Sequence, residues 1–305
     1  MSNKNKGICC IILSAFCFAL MTIFVRMAGD LPSIQKSFFR NIVAMFFAAI
    51  ILVKNKVPFV IGKGNYLTML GRVSFGTIGL LCNFYAVDHL LVADANILNK
   101  LSPFFAILFS ILILREIPTK YQMVCLSAAL IGCLFVVKPG FASTDMVGMA
   151  AGICGGMTAG AAYTLVRKLG AAGVKGPVTV FCFSAFSSLV TLPLIILFYH
   201  SPMSLKQVII LLGAGLAAAG GQFSITAAYT FAPAREISVY DYTQIIFSTI
   251  MGYLFFRQVP DGYSFLGYAI ICGASIVMFV MNNRKNHSKP VSISTTGTEP
   301  ESLKF

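Results

Sequence analysis

Long apolar blocks alternate with short polar segments along almost the entire chain. Ten blocks can be marked, at residues 8–25, 37–53, 66–87, 93–114, 120–137, 146–166, 177–199, 206–232, 236–256 and 263–282. Most are long enough for one crossing of a hydrocarbon core about 30 Å thick, because a helix rises about 1.5 Å per residue. The pattern therefore predicts an all-α membrane protein with ten transmembrane helices.

The composition favours lipid as the main solvent of the chain. Hydrophobic residues account for 57% of the sequence and charged residues for only 11%, whereas an ordinary soluble domain has about 25% charged residues. The formal net charge of +13 could suit nucleic acid. However, the basic residues are scattered between the apolar blocks and form no continuous stripe. We therefore predict the lipid bilayer as a partner and no nucleic acid.

The distribution of basic residues predicts the orientation of the helices. With a cytoplasmic N-terminus, fifteen of the 23 lysines and arginines lie in cytoplasmic segments and six in outer segments, while Arg72 and Lys100 lie within helices. Cytoplasmic loops of membrane proteins carry the excess of Lys and Arg. We therefore expect a multi-pass protein of the plasma membrane with both termini inside. Residues 283–305 are polar and rich in Ser and Thr, which predicts a disordered cytoplasmic tail.

The second half of the chain repeats features of the first half. At an offset of 141, Val25, Arg26 and Gly29 match Val166, Arg167 and Gly170; at an offset of 142, Arg115, Pro118 and Tyr121 match Arg257, Pro260 and Tyr263, and Asn99 matches Asp241. Each half holds five helices, and because five is odd, the second copy starts from the opposite side of the membrane. We predict two inverted five-helix repeats, residues 1–138 and 146–282, related by an axis in the membrane plane.

This arrangement resembles a known transporter family. Two five-helix halves, a proline followed after eleven residues by Arg-Glu (Pro103 to Glu116) and a glycine-rich fifth helix are similar to the EamA repeats of the drug/metabolite transporter superfamily. The resemblance covers residues 7–282. It implies a ten-helix bundle that works by alternating access around a central cavity lined by helices 1–4 and 6–9. Gln258 stands where the first half has Glu116, so the two halves depart from each other there.

The sixth block carries a ridge of glycines. Gly148, Gly152, Gly156 and Gly160 recur every four residues. At this spacing they share one helix face, where the backbone of a neighbouring helix can approach closely. The ridge predicts helix packing, and it also fits a surface on which one helix slides or rocks against another.

Polar residues interrupt two blocks at matching positions of the two halves. Asn99, Lys100 and Pro103 head an otherwise apolar run in block four, and Asp241 and Tyr242 align with Asn99 and Lys100. A charge inside a membrane helix costs at least ~2.5 kcal/mol and commonly marks a substrate path. We therefore expect Asn99, Lys100, Asp241 and Tyr242 to line the cavity and bind substrate. In the alternative interpretation, the long stem of Lys100 carries its ammonium to the outer interface.

Further polar residues lie within the apolar blocks. Asn83, Tyr163 and Gln222 could line the same cavity, and each could equally form a hydrogen bond between helices. Arg72 and Arg40 lie near helix ends, and we interpret both as anchors at the level of the lipid phosphates.

No motif for another chemistry is present. The chain has no Gly-rich loop with Lys-Ser/Thr for ATP, no Gly-x-Ser-x-Gly and no His-Glu-x-x-His. All nine cysteines lie inside apolar blocks without the spacing of a zinc site, so we predict neither a metal nor a cofactor. The predicted function is a secondary transporter for a small polar or amphipathic metabolite, acting as a monomer or homodimer. Two alternatives remain: an intramembrane enzyme acting on a lipid-linked substrate, and a channel.

Overall fold

The computed structural model describes residues 2–29, 31–89, 98–137, 145–198, 201–257 and 262–287. Within these residues the chain forms ten long α-helices and no β-strand, as the apolar blocks predicted. The helices are α1 (Asn3–Met27), α2 (Ser33–Lys54), α3 (Tyr66–His89), α4 (Ser102–Leu114), α5 (Lys120–Val137), α6 (Met146–Ala171), α7 (Gly176–Phe198), α8 (Leu205–Phe231), α9 (Thr243–Phe256) and α10 (Gly262–His287). A 3-10 turn (Lys63–Asn65) precedes α3.

The outer surface of the bundle is apolar. Large side chains such as Phe46, Leu112 and Ile196 point outward and are exposed. Seven of the described helices are long and apolar enough to cross a membrane, and α4 and α5 are shorter apolar helices. An apolar surface of this extent is compatible with lipid tails and incompatible with water, so the protein is a multi-pass membrane protein.

The helices of the two halves exchange partners as a two-fold axis requires. Helix α1 packs along α8 in the way that α6 packs along α3, and α1 packs on α9 in the way that α6 packs on α4. Helices α2 and α7 pack on each other, as do α5 and α10, so each of these pairs joins equivalent helices. The bundle is thus built from two inverted five-helix repeats that share one core rather than packing side by side.

Helices α4 and α9 end in the same unusual backbone conformation. Arg115, directly after α4, has φ 57° and ψ 29°, and Arg257, directly after α9, has φ 54° and ψ 31°. A side chain in this left-handed region costs roughly 1 kcal/mol, and glycine is the usual residue there. Its occurrence at positions 142 residues apart marks them as equivalent points of the two repeats.

Some boundaries differ from the predicted ones. Helix α10 continues to His287, past the predicted start of the tail at 283. Basic residues favour the C-terminal end of a helix through its dipole, and the chain has Arg284 and Lys285 there. Residues 288–305 of the predicted tail, and Gln258 and Pro260, lie outside the described residues.

The glycine match between the halves is also shifted. Gly29, just beyond α1, has φ 74°, and its counterpart beyond α6 is Gly173 with φ 83°. Gly170, which the sequence matched to Gly29, lies inside α6. Three residues are almost one helical turn, so this shifted match keeps a similar helix face and the apolar pattern does not reveal the error.

Candidate functional site

A proline interrupts the fourth apolar block. The block is not the continuous helix that its apolar run predicted, because a turn at Lys100 and Leu101 precedes α4. Pro103 has no N–H to bond to the carbonyl of Asn99, and its ring fits best in the first turn of a helix. The N–H of Phe104 donates to the carbonyl of Leu101 at 3.0 Å. The carbonyl of Lys100 is therefore available to a donor from elsewhere.

The second half is interrupted at the symmetry-related position. One helical turn (Ala234–Ile237) passes into a 3-10 turn (Ser238–Tyr242) before α9 begins, so the ninth block is not one continuous helix either. The phenol of Tyr242 is fully buried and donates to the carbonyl of Lys100 at 2.9 Å. This hydrogen bond ties the two interruptions together.

An ion pair joins the same two interruptions. The ammonium of Lys100 lies 2.9 Å from Asp241 Oδ2, and it also donates to Gln244 Oε1 at 2.7 Å and to the backbone carbonyl of Asp241 at 3.3 Å. Lys100 and Asp241 are each only 8% exposed. All three N–H groups of the ammonium thus have an acceptor inside the bundle. The alternative in which Lys100 reaches the outer interface is wrong.

Gln244 is a residue of this site that the sequence analysis missed. It lies three residues after Asp241, and side chains at that spacing share a helix face. This spacing could have identified it. Asn99 is half-buried beside the pair, and its side chain forms no hydrogen bond with another described residue.

Two stacked tyrosines lie near the ion pair. The ring centroids of Tyr163 on α6 and Tyr229 on α8 are 4.9 Å apart, and the ring planes differ by 7°. Both phenols are close enough to Asp241 for electrostatic interaction, and the hydroxyl of Tyr229 lies 3.4 Å from that of Ser238. The structure therefore brings the predicted residue Tyr163 into the surroundings of the pair.

Asn83 and Gln222 occupy contacts elsewhere. Gln222 is 5% exposed and donates to the hydroxyl of Thr226, one turn further along α8, at 3.4 Å. The backbone of Asn83 packs against Gly155 of α6, where a Cβ atom would lie 3.1 Å from the Asn83 nitrogen. Among the described residues, neither side chain forms a hydrogen bond with the ion pair, and their role in binding substrate stays a prediction.

The glycine ridge lies against the interruption of the first half. All four glycines, Gly148, Gly152, Gly156 and Gly160, are buried in α6. A Cβ atom on Gly156 would lie 2.7 Å from the carbonyl oxygen of Leu98, and one on Gly160 would lie 2.6 Å from Cβ of Phe105. A Cβ atom on Gly152 would lie 2.6 Å from the side chain of Leu98. Helix α6 can approach the segment that carries Lys100 because these positions have no side chain.

Arg72 and Arg40 point into the bundle, which corrects their interpretation as anchors among the lipid phosphates. Arg72 is 2% exposed, and its guanidinium carbon lies 4.3 Å from the ring centroid of Phe183 on α7. The guanidinium of Arg40 lies 5.7 Å from the ring centroid of Phe18 on α1. Both arginines sit near helix ends in the sequence, but helices from elsewhere in the bundle cover them.

Comparison with known proteins decides which family this bundle represents. The model of the EamA-like transporter family matches the chain twice, at residues 5–138 and 146–280. The chain belongs to the EamA-like transporter family. The match confirms the resemblance drawn from the sequence.

Relatives of this EamA-like transporter are named as transporters. The pseudopaline exporter CntI of Pseudomonas aeruginosa is 31% identical over 275 residues, which cover 90% of this chain and 96% of the relative. Solute carrier family 35 member G1 of Homo sapiens is 25% identical over 281 residues, which cover 87% and 76% of the two chains. A crystal structure of a protein only 15% identical shows the same fold, with a TM-score of 0.82 over 92% of this chain and 99% of that chain. The family and its named members identify a transporter and not an enzyme.

One end of this EamA-like bundle is tied together by a second ion pair. Arg167, near the end of α6, places Nε 3.3 Å from Glu116 Oε1 and donates from Nη1 to the carbonyl of Thr230 at 2.9 Å. Arg235 donates to the carbonyl of Ile117 at 2.7 Å. These contacts link the segment after α4 to the ends of α6 and α8, so movement of either repeat must strain them.

The described part of this EamA-like transporter contains no group of three or more His, Cys, Asp or Glu side chains that could hold a metal ion. Its nine cysteines are free. The polar groups available to a substrate are thus side chains and backbone atoms of the interrupted helices.

Proposed function

We propose that the protein is a secondary transporter that moves a small polar or amphipathic metabolite by alternating access. The observation that carries the proposal is the contact between the two interrupted helices. Each repeat contributes one charge of the Lys100–Asp241 pair, so rocking one repeat against the other must distort this pair. A substrate can shift the balance between two such arrangements only through contacts that differ between them. Polar groups that replace the distorted contacts would supply that difference.

In this proposal the substrate binds between the interruptions. Asn99, Lys100, Asp241, Tyr242 and Tyr163 form the centre of the site, and Asn83 and Gln222 extend it along α3 and α8. Transporters with inverted repeats commonly bind substrate near the membrane midplane, where broken helices expose backbone atoms. The carbonyl of Lys100, which is bonded to the Tyr242 hydroxyl across the two halves, is such an atom.

We infer that net transport is outward. The inference is supported by the relative of nearly equal extent that is named an exporter. Pseudopaline, which that name identifies as the relative's substrate, is accordingly the first compound to test on this chain.

Counterflow in proteoliposomes tests the transport mechanism. Liposomes that contain the purified protein are loaded with a cell metabolite extract supplemented with pseudopaline, and mass spectrometry identifies the solutes that leave. We expect at least one polar solute to leave saturably, and to leave faster when the same solute is present outside. A channel would release solutes without this acceleration. Efflux no faster than from protein-free liposomes would contradict transport of any tested solute.

We also propose that the protein lies in the plasma membrane with both termini cytoplasmic. Single cysteines replace the exposed residues Val60, between α2 and α3, and Lys206, at the start of α8, in a background without the nine native cysteines. We expect a membrane-impermeant maleimide added to intact cells to label Lys206→Cys and to leave Val60→Cys unlabelled until the cells are opened. The reverse labelling pattern would invert the orientation of the whole bundle.

A further inference from the structure

Two arginines inside the bundle have no carboxylate partner among the described residues. Arg72 is 2% exposed, and its Nε atom has no hydrogen-bond partner in that part of the chain. Arg40 likewise forms no ion pair with a described carboxylate. An unpaired charge inside a membrane protein is costly, and ionisable residues in such positions typically line a substrate or ion path. The two arginines therefore need an explanation beyond packing.

The fold holds the Arg72 guanidinium in a slot. One side of the slot is the ring of Phe183, 4.3 Å from the guanidinium carbon, a distance at which a cation is attracted by the ring face. The other side is Gly76, one turn further along α3. A Cβ atom at position 76 would collide with Nη1 of Arg72 and would lie 2.8 Å from the Phe183 ring. The slot fixes the position of the guanidinium without supplying an acceptor for Nε.

Arg40 reaches the same surroundings from α2. The guanidinium groups of Arg40 and Arg72 interact electrostatically with each other, and both interact with the phenol of Tyr163. Tyr163 interacts in turn with Asp241. The two arginines thus share one electrostatic environment with the Lys100–Asp241 pair.

The charges of this environment do not balance. Arg40, Arg72 and Lys100 supply three positive charges, and Asp241 supplies the one negative charge among the described residues of the site. Charges interact strongly where water is scarce, so the excess favours an anion. The excess does not follow from the repeat, because Ala214 stands 142 positions after Arg72.

We propose that Arg40 and Arg72 bind an anionic group of the transported metabolite, a carboxylate or a phosphate-like oxyanion. The proposal rests on the proposed transport function and narrows its substrate class to metabolites with at least two negative charges, which would match the excess. A guanidinium suits this task because it presents two parallel N–H groups to an oxyanion. A lipid headgroup phosphate offers the same chemistry, but Arg72 is covered by protein, which favours a soluble anion.

Thermal unfolding with sulfate as the probe tests this site without requiring transport. The protein is placed in phosphatidylcholine nanodiscs, and unfolding is followed with a thiol-reactive dye, because the chain has nine free cysteines and no Trp. Sulfate and chloride are compared at equal ionic strength. We expect sulfate to raise the Tm of the native protein by several degrees relative to chloride, since a ligand of the folded state stabilises it by mass action.

Three variants separate the arginine site from the general stabilising effect of sulfate on proteins. In Arg72→Gln and in Arg40→Gln, the sulfate-minus-chloride difference in Tm should shrink to the general effect. In Lys168→Gln, which removes an exposed charge on α6, the difference should stay at its native value. In chloride alone, Arg72→Gln should unfold at a higher temperature than the native protein, because an unpaired buried charge has been removed.

Gly76→Ala provides a variant that keeps the charge. The added methyl group displaces the Arg72 guanidinium from its slot, so the sulfate response should fall although the arginine is still present. An unchanged response in Gly76→Ala would contradict the role of the slot.

Several outcomes would overturn the anion site. An equal sulfate response in the native protein and both arginine variants would do so, and so would a lower Tm of Arg72→Gln in chloride, which would identify Arg72 as a structural cation. If phosphatidylglycerol nanodiscs reproduce the stabilisation and sulfate adds nothing, a lipid headgroup occupies the site. None of these results affects counterflow. A protein that passes the counterflow test and fails this one transports a substrate without such anionic groups.

Discussion

Lys100→Ala is expected to abolish counterflow and to lower the melting temperature sharply. The substitution leaves three acceptors without their donor: Asp241 Oδ2, the Asp241 carbonyl and Gln244 Oε1. Removing one partner of a buried ion pair typically costs ~3–5 kcal/mol. Asp241→Asn should cost less, because the amide oxygen and the other two acceptors can still bind the ammonium. Both variants should lose transport, and the exposed control Lys168→Ala should keep it.

The double variant distinguishes a coupled pair from two independent residues. Lys100→Ala combined with Asp241→Asn should lose less stability than the sum of the two single changes, because neither leaves an unpaired charge behind. Coupling energies of contacting residues are commonly ~0.5–3 kcal/mol. Transport should not recover, since both charges are needed for substrate. Strict additivity of the stability losses, with counterflow intact in Lys100→Ala, would refute the role given to the pair.

Gly156→Leu is expected to yield little folded protein. A Cβ atom at position 156 would already lie 2.7 Å from the backbone carbonyl oxygen of Leu98, and a backbone atom cannot move aside as a flexible side chain can. Overpacking a core commonly costs ~1–3 kcal/mol, and a leucine adds far more volume than one Cβ atom. Gly152→Leu should be less damaging, because the side chain of Leu98 is the group that must shift. Monodisperse yield in size-exclusion chromatography and Tm measure both effects.

A glycine on another helix serves as the control. Gly273 on α10 is exposed and has nothing within 4 Å of an added Cβ atom. Gly273→Ala should therefore be neutral or stabilising, since alanine is the better helix former by about 1 kcal/mol. Normal yield and counterflow for Gly156→Leu would mean that α6 does not contact the segment before Lys100.

The pairing of Lys100 with Asp241 could be anticipated from the sequence because of the repeat. Residues that align between two copies, and that lie close to the axis relating them, also lie close to each other in space. Asn99 aligns with Asp241 and Lys100 with Tyr242, and the observed contacts run from Lys100 to Asp241 and from Tyr242 to Lys100. Pro103 indicated a weakened helix, but a proline alone does not fix the residue at which the turn occurs.

The two buried arginines could not be anticipated in the same way. Nearly every position around α3 is apolar or small, so its periodicity does not reveal which face turns inward. Whether Arg72 contacts lipid or protein depends on α7, whose Phe183 covers it. That contact joins positions 111 residues apart, and no local pattern in either segment specifies it.

The interrupted helices show how the two copies have diverged since duplication. Arg115 and Arg257 share one backbone conformation, which is what duplication of a single ancestral unit would leave. The charges are divided between the copies, with the cation Lys100 in the first and the anion Asp241 in the second. Two copies of the first half would bring two lysines towards the axis with only Asn99 facing each of them. The halves have become complementary, so neither can be replaced by a second copy of the other, and a chain assembled from two identical halves would lose its central ion pair.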